Sequence, residues 1–205
     1  MIKIHNFPRG ARGLRVMWLC EEMGLPYETH AVKFPPSKAY LALNPLGSVP
    51  FLEDEGGIAI NESVAMMLYV AERYGPTPFL PPKADASFAR VLQMTVFSEA
   101  TIGGAMNTLM MAHFGAPEAD KRNWSVRGVE GRVERAIGYV ESMFGEKAFI
   151  AGDAPTIADM CIVTALGIWQ GALGKSLSPK LVVYRDMLAA RPAYLRAHQR
   201  CGGQS

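Results

Sequence analysis

LGSVPFLEDEGGIAINESVAMMLYVAERYG, residues 46–75, is the stretch whose reading decides the fold. Val49-Pro50-Phe51-Leu52 is a short apolar run, Asp54-Glu55-Gly56-Gly57 carries turn chemistry, and Ile58-Ala59-Ile60 is a second short run. Val64, Met67, Leu68 and Ala71 then recur at helical spacing. The order is strand, tight turn, strand, helix. Pro50 cannot donate to a ladder, so it belongs at a strand start or an edge. Glu62 and Ser63 fall where a new helix leaves backbone N–H groups unpaired, a terminus that favours anions.

Working outward toward the N-terminus, Ile2 and Ile4 alternate with Lys3 and His5 as a first strand, with His5 expected on the solvent face. The Pro- and Gly-containing segment 6–13, NFPRGARG, is a loop. Leu14, Trp18, Leu19 and Met23 mark a helix that Gly24 ends, and Tyr27 to Val32 is the next strand. Strand, helix and strand in that order form a βαβ unit with a parallel pair. A short helix from Ser37 to Leu43 follows, then a turn at Asn44-Pro45-Leu46-Gly47. The expected fold is an α/β N-terminal unit of βαβ-ββα order, a thioredoxin-like arrangement.

Toward the C-terminus, Tyr74 to Pro82 holds too many prolines and glycines to continue a helix. A boundary there gives a first domain over 1–78 and an all-helical second domain over 86–205. A long helix from Ala86 to about His113 is loosened near Gly103-Gly104. A second, Trp124 to Phe144, carries an apolar stripe through Val126, Val129, Val133, Ile137 and Val140. Thr156 followed by Asp159 is a capping-box variant that opens a nearly all-apolar, hence buried, helix. Two shorter helices, near Pro179–Ala190 and Pro192–Arg200, finish the chain.

The chain has 205 residues, 49% hydrophobic and 20% charged, with a net charge of +2. That composition is globular and implies no polyanion; no nucleic-acid partner is expected. No apolar run approaches a membrane span, and the N-terminus lacks the apolar core of a signal peptide, so no membrane association and a cytoplasmic location are expected. Cys20, Cys161 and Cys201 stand far apart, the first two among apolar helical residues and the third in a Gly-rich tail where exposure is expected. The four histidines are equally scattered, and no metal site is expected.

Three signatures occur in order: N-P-L-G-S-V-P at 44–50, N-E-S at 61–63 and G-D-A-P-T-I-A-D at 152–159. Together they resemble the glutathione S-transferase family, and the resemblance covers both domains. It implies a thioredoxin-like domain followed by a helical one, with glutathione as co-substrate. It also implies a cis Val49–Pro50 bond, with Val49 pairing its backbone with the cysteinyl group. Glu62 and Ser63 would hold the γ-glutamyl end, and Lys38 or Lys33 would reach the glycyl carboxylate. The 152–159 box is structural in that family.

Such enzymes need an ionised glutathione thiol, which a donor at the sulfur favours. The family supplies one from the first strand–helix loop as tyrosine, serine or cysteine, and segment 6–13 contains none of these. Three alternatives stay open. Arg12 or Asn6 takes over the thiol; backbone N–H groups at the helix start suffice; or the chain binds glutathione with weak turnover. The absent cysteine also argues against thiol–disulfide exchange. The acceptor pocket for a hydrophobic electrophile is expected on the first long helix of the second domain, at Phe97, Thr101, Met106 and Asn107. A homodimer is expected, with Met66, Met67 and Tyr69 facing the partner copy. Conjugation is the leading function. The alternatives are a glutathione-binding carrier of this fold, a glutathione-dependent isomerase or peroxidase, and an interaction module.

Overall fold

In the computed structural model, which describes residues 1–202, the chain forms two compact units. The first comprises Met1–Leu80 and the segment from Leu188 onward; the second is Pro81–Met187. The C-terminal segment thus belongs with the first unit, whereas the sequence alone assigned all of 86–205 to the helical domain.

The first unit contains β1 (Ile2–Asn6), α1 (Ala11–Glu22), β2 (Tyr27–Ala31), α2 (Lys38–Leu43), β3 (Phe51–Asp54), β4 (Ile58–Ile60) and α3 (Ser63–Arg73). The sheet order is β2-β1-β3-β4, with β1 and β2 parallel and the other pairs antiparallel. This is the expected βαβ-ββα arrangement. Ile2, Ile4 and Leu52 are sealed on one face, where α1 buries a continuous run from Gly13 to Cys20 and α3 buries Met66, Met67 and Val70. Apolar side chains on both elements make that layer the core. Met66 and Met67, expected to face a partner copy, are 0% exposed and belong to this core.

The opposite face is also partly covered. Val32, Tyr40 and Phe51 form a small cluster against which Phe7 and Val49 pack. His5 joins it, stacked on His30 and tilted against Tyr40 and Phe51, with Nε2 2.6 Å from Glu53 Oε2. His5 is therefore buried, not solvent-facing as alternation suggested. The reason is tertiary, because the 32–50 segment lies over that strand face.

The last helix of the chain, Pro192–Arg200, packs along α1. Trp18 meets Tyr194 edge-on at 5.0 Å and donates to Glu22 at 2.9 Å. Arg191 grips Glu22 through two hydrogen bonds of 2.5 and 2.9 Å, and Arg196 reaches Glu21 at 2.7 Å. Cys201 follows, and burial replaces the exposure expected of it.

The second unit contains α4 (Phe88–Phe97), α5 (Gly104–Gly115), α6 (Trp124–Met143), α7 (Ile157–Gly167) and all but the last two residues of α8 (Pro179–Ala189); with these labels, the closing helix is α9. The loosening expected near Gly103 is a π-helical segment, Ser98–Gly103, joining α4 to α5. α7 is buried from Ile157 to Leu166. Asp159 opens it, accepting from Ile150 N–H at 2.9 Å, Thr156 N–H at 2.7 Å, the Thr156 hydroxyl at 2.9 Å and Tyr184 Oη at 2.7 Å. No described helix is long and apolar enough to cross a membrane.

Candidate glutathione site

The turn before β3 is bolted to the start of α3 by a polar network. Asn44 is 1% exposed. Its amide donates to Ser48 O at 2.9 Å and Asn61 Oδ1 at 3.1 Å, while Asn61 donates back to Asn44 Oδ1 at 3.3 Å. Ser48 Oγ also donates to Asn61 Oδ1 at 3.0 Å, and Tyr40 Oη donates to Ser48 O at 2.6 Å. A buried network in which members satisfy one another is rigid. Its effect is to hold Val49 and Glu62, each adjacent in sequence to a network member, in one fixed relationship. The Val49–Pro50 bond is cis, as the resemblance implied. Asn44 and Asn61 escaped the sequence reading as scaffold residues; only their places at the heads of two motifs hinted at it.

α3 begins at Ser63, preceded by Glu62 at φ 69° and ψ 104°. A non-glycine residue in that region is strained, and such strain concentrates at ligand sites. No Glu62 side-chain bond caps the helix, and its carboxylate is exposed. Ser63, by contrast, is 2% exposed and accepts a hydrogen bond from Arg15 Nη1 at 3.3 Å. Arg15, itself 1% exposed, was missed from sequence. Its signal was a charged residue inside the buried run of α1.

The loop before α1 differs from the sequence expectation at Asn6. The carboxamide turns inward, donating to Gly10 O at 2.9 Å and Cys201 Sγ at 3.3 Å. Both donor contacts are spent inside the protein, which leaves no amide hydrogen for a ligand thiol. Its Oδ1 is buried and accepts no hydrogen bond. Two glycines make room for it: a Cβ on Gly13 would lie 2.2 Å from Asn6 Cγ, and one on Gly10 would lie 2.8 Å from Oδ1. The C-terminal turn clamps the loop further, since Arg9, at φ 63°, donates its N–H to Cys201 O at 2.7 Å. Gly10 caps α1 without a side-chain bond, so the first-turn N–H groups receive no help from the cap. Arg12, half-buried, is the second residue of that turn.

No cysteine replaces the missing thiol donor. Burial, with Glu21 and Asp54 nearby, pushes the Cys20 thiol up to about 12, and burial raises Cys201 as well. No group of three or more His, Cys, Asp or Glu among the described residues is placed to hold a metal. Lys38 is exposed at the first turn of α2, which Ser37 caps by accepting from Tyr40 N–H at 3.2 Å.

The four expected acceptor residues do not form one pocket. Phe97 and Thr101 line an open depression of about 370 Å³ with Gln93, Arg132, Arg135, Ala136 and Tyr139. Met106 is 1% exposed and belongs to the core of the second unit, while Asn107 is exposed. The π-helical segment Ser98–Gly103, which contains Thr101, breaks the helical phase on which their grouping relied.

Family models described as the glutathione S-transferase N-terminal and C-terminal domains match residues 12–73 and 101–192. The chain belongs to the glutathione S-transferase family. Among its relatives in this family, a maleylacetoacetate isomerase of Pseudomonas aeruginosa is 28% identical over 208 residues, covering 96% of this chain and 95% of the relative. Glutathione S-transferase F9 of Arabidopsis thaliana is 26% identical, covering 95% and 94%. A crystal structure of a glutathione transferase from Methylococcus capsulatus superposes with a TM-score of 0.85 at 26% identity, covering 98% of this chain and 99% of that one.

Proposed function

We propose that this family member binds glutathione and transfers its thiolate to hydrophobic electrophiles. The observation that carries the reading is the buried Ser63 at the start of α3, tied to Arg15 and fixed relative to the cis-proline turn by the Asn44–Asn61 network. A helix start with a buried hydroxyl and a guanidinium behind it suits a carboxylate. In this reading Ser63 and its N–H take the γ-glutamyl carboxylate, Glu62 takes the ammonium, and the backbone of Val49 pairs with the cysteinyl unit. Lys38 approaches the glycyl carboxylate.

The sulfur lies at the start of α1. First-turn N–H groups stabilise its negative charge, and Arg12 adds a fixed cation. A helix terminus contributes roughly 0.3–1 kcal/mol at exposed sites and up to ~2 when partly buried. One pKa unit is worth ~1.4 kcal/mol. Terminus and guanidinium together are therefore enough to bring a thiol of pKa ~8.5 close to neutrality. Asn6 serves here as a positioning residue of the loop, not as the donor. Phe97 and Thr101 are the candidates of the second unit for the electrophile. The working form in this proposal is a cytoplasmic homodimer.

Calorimetric titration with glutathione and turnover of a standard aryl halide test the reading together. Binding with turnover supports it. Binding without turnover favours a carrier, and no binding rejects both. The full-length similarity to the Pseudomonas aeruginosa isomerase favours glutathione-dependent isomerisation as a second reading. Assay of a cis-to-trans maleyl substrate in the presence of glutathione separates it from conjugation.

A further inference from the structure

We propose that Cys201, in the turn that ends α9, is a positioning residue for the glutathione thiol: with Asn6 it locks the Gly10 carbonyl and so aims the Ala11 N–H at the bound sulfur. The proposal rests on the glutathione reading and adds to it a residue from the far end of the chain.

Three donors converge on one carbonyl. Gly10 O accepts from Leu14 N–H at 3.1 Å, from Asn6 Nδ2 at 2.9 Å and from Cys201 Sγ at 3.6 Å. Asn6 Nδ2 also donates to Cys201 Sγ at 3.3 Å, so carboxamide and thiol hold each other as well as the carbonyl. Burial raises the Cys201 thiol, which keeps its proton in place for Gly10 O. The Gly10–Ala11 peptide is trans and planar, with its C=O and N–H antiparallel. Fixing the carbonyl therefore fixes the N–H of Ala11, the first residue of α1, which has no partner inside the helix. A small neutral side chain does this at 5% exposure without bringing a charge of its own to the sulfur.

The turn is itself anchored. Arg9 donates its N–H to Cys201 O at 2.7 Å and its Nε–H to Gly202 O at 3.4 Å. At φ 63°, Arg9 is in a strained region that has to be held by its surroundings. α9 supplies that hold. Its Arg191 and Arg196 bond to Glu22 and Glu21 of α1, and Arg200 lies over the Tyr27 ring at 4.8 Å. Loop, α1 and α9 are thus tied together, and losing the Cys201 contacts is felt at the first N–H groups of α1.

The test is the ultraviolet titration of glutathione bound to the parent, Cys201→Ala, Cys201→Ser and Val140→Ala. Cys201→Ala should raise the ionisation midpoint of the bound thiol by about half a unit or more. Its glutathione affinity by calorimetry should stay within about twofold of the parent. Cys201→Ser, which keeps a donor and an acceptor, should show a smaller shift. Val140, 0% exposed in α6, serves as the control, because Val140→Ala destabilises by a core cavity and should leave the midpoint in place. An unchanged midpoint in Cys201→Ala, an equal shift in Cys201→Ser, or an equal shift in Val140→Ala overturns the proposal. Where Cys201→Ala does not fold, Arg191→Gln, at a half-exposed anchor of α9, decides: a rise in the midpoint supports the proposal and no shift overturns it. A parent that binds no glutathione, or whose bound thiol ionises at the free value, rejects the underlying reading. A lowered midpoint that no variant moves rejects only the role of Cys201.

Discussion

The side-chain amides of Asn44 and Asn61 hydrogen-bond each other in both directions, at 3.1 and 3.3 Å. Seventeen residues apart, they join the turn that carries Val49-Pro50 to the residue before Glu62-Ser63. Asn44→Ala would take the acceptor from the Asn61 amide N–H and one of two donors from each of Ser48 O and Asn61 Oδ1, in a site that is 1% exposed at Asn44. Leaving buried polar groups unpaired costs about 1–3 kcal/mol each, so we expect a loss of about 2–3 kcal/mol in urea unfolding. Asn61→Ala should cost less, and the double variant less than the sum, because the two share one network. Strict additivity would mean that the network is not a unit.

Gly13→Ala has a sign that separates local from tertiary control. In an isolated helix, alanine would gain about 1 kcal/mol over glycine. Here its Cβ would lie 2.2 Å from Asn6 Cγ, and forced overpacking costs about 1–3 kcal/mol. A lower Tm is expected, partly restored by adding Asn6→Gly, which removes the obstruction. An increase in Tm on Gly13→Ala alone would show that Asn6 does not occupy this position.

Acid should loosen the α1–α9 contact. Burial tends to raise the Glu22 carboxyl, but hydrogen bonds from Arg191 and Trp18 more than offset this and hold it below the usual carboxylate range. A group depressed in the folded state contributes stability that is complete above its unfolded value, ~4.3. That stability is lost as pH falls toward the folded value. The urea midpoint of the parent should therefore exceed that of Glu22→Gln at pH 7. The gap should close below about pH 4. A gap that persists unchanged at pH 3 would contradict this.

Ser63→Ala should weaken glutathione by about 1–3 kcal/mol, the usual cost of removing a hydrogen bond to a charged group. The same change takes an acceptor from buried Arg15, so a stability loss of up to about 1–3 kcal/mol in urea unfolding accompanies it. Equal affinity by calorimetry would remove Ser63 from the site.

The order of strands and helices was legible in the sequence because each element carries its own period and its own punctuation. Pro50 opens β3, Gly24 follows α1, and the Thr156/Asp159 pair opens α7. The Glu62-Ser63 helix start was legible for the same local reason, whereas the cis Val49–Pro50 bond was expected from the family resemblance. What failed was decided by distant chain. His5 is buried because the 32–50 segment covers it, and Asn6 is turned inward by Gly10 and by Cys201, 195 residues away. Met66 and Met67 looked like a surface pair, yet α1 claims both for the core. Arg15 was passed over because a charge within an apolar run reads as noise until its partner on α3 is known.

The central claim is that the start of α1, with Arg12, ionises a bound thiol without tyrosine, serine or cysteine in the loop. Titrating the ultraviolet thiolate absorbance of bound glutathione against pH tests it directly. The account predicts that the bound thiol ionises about one to two units below the free value of ~8.5. It further predicts that Arg12→Ala returns it part of the way with little loss of glutathione affinity. A bound thiol that titrates at the free value in the parent would contradict the account.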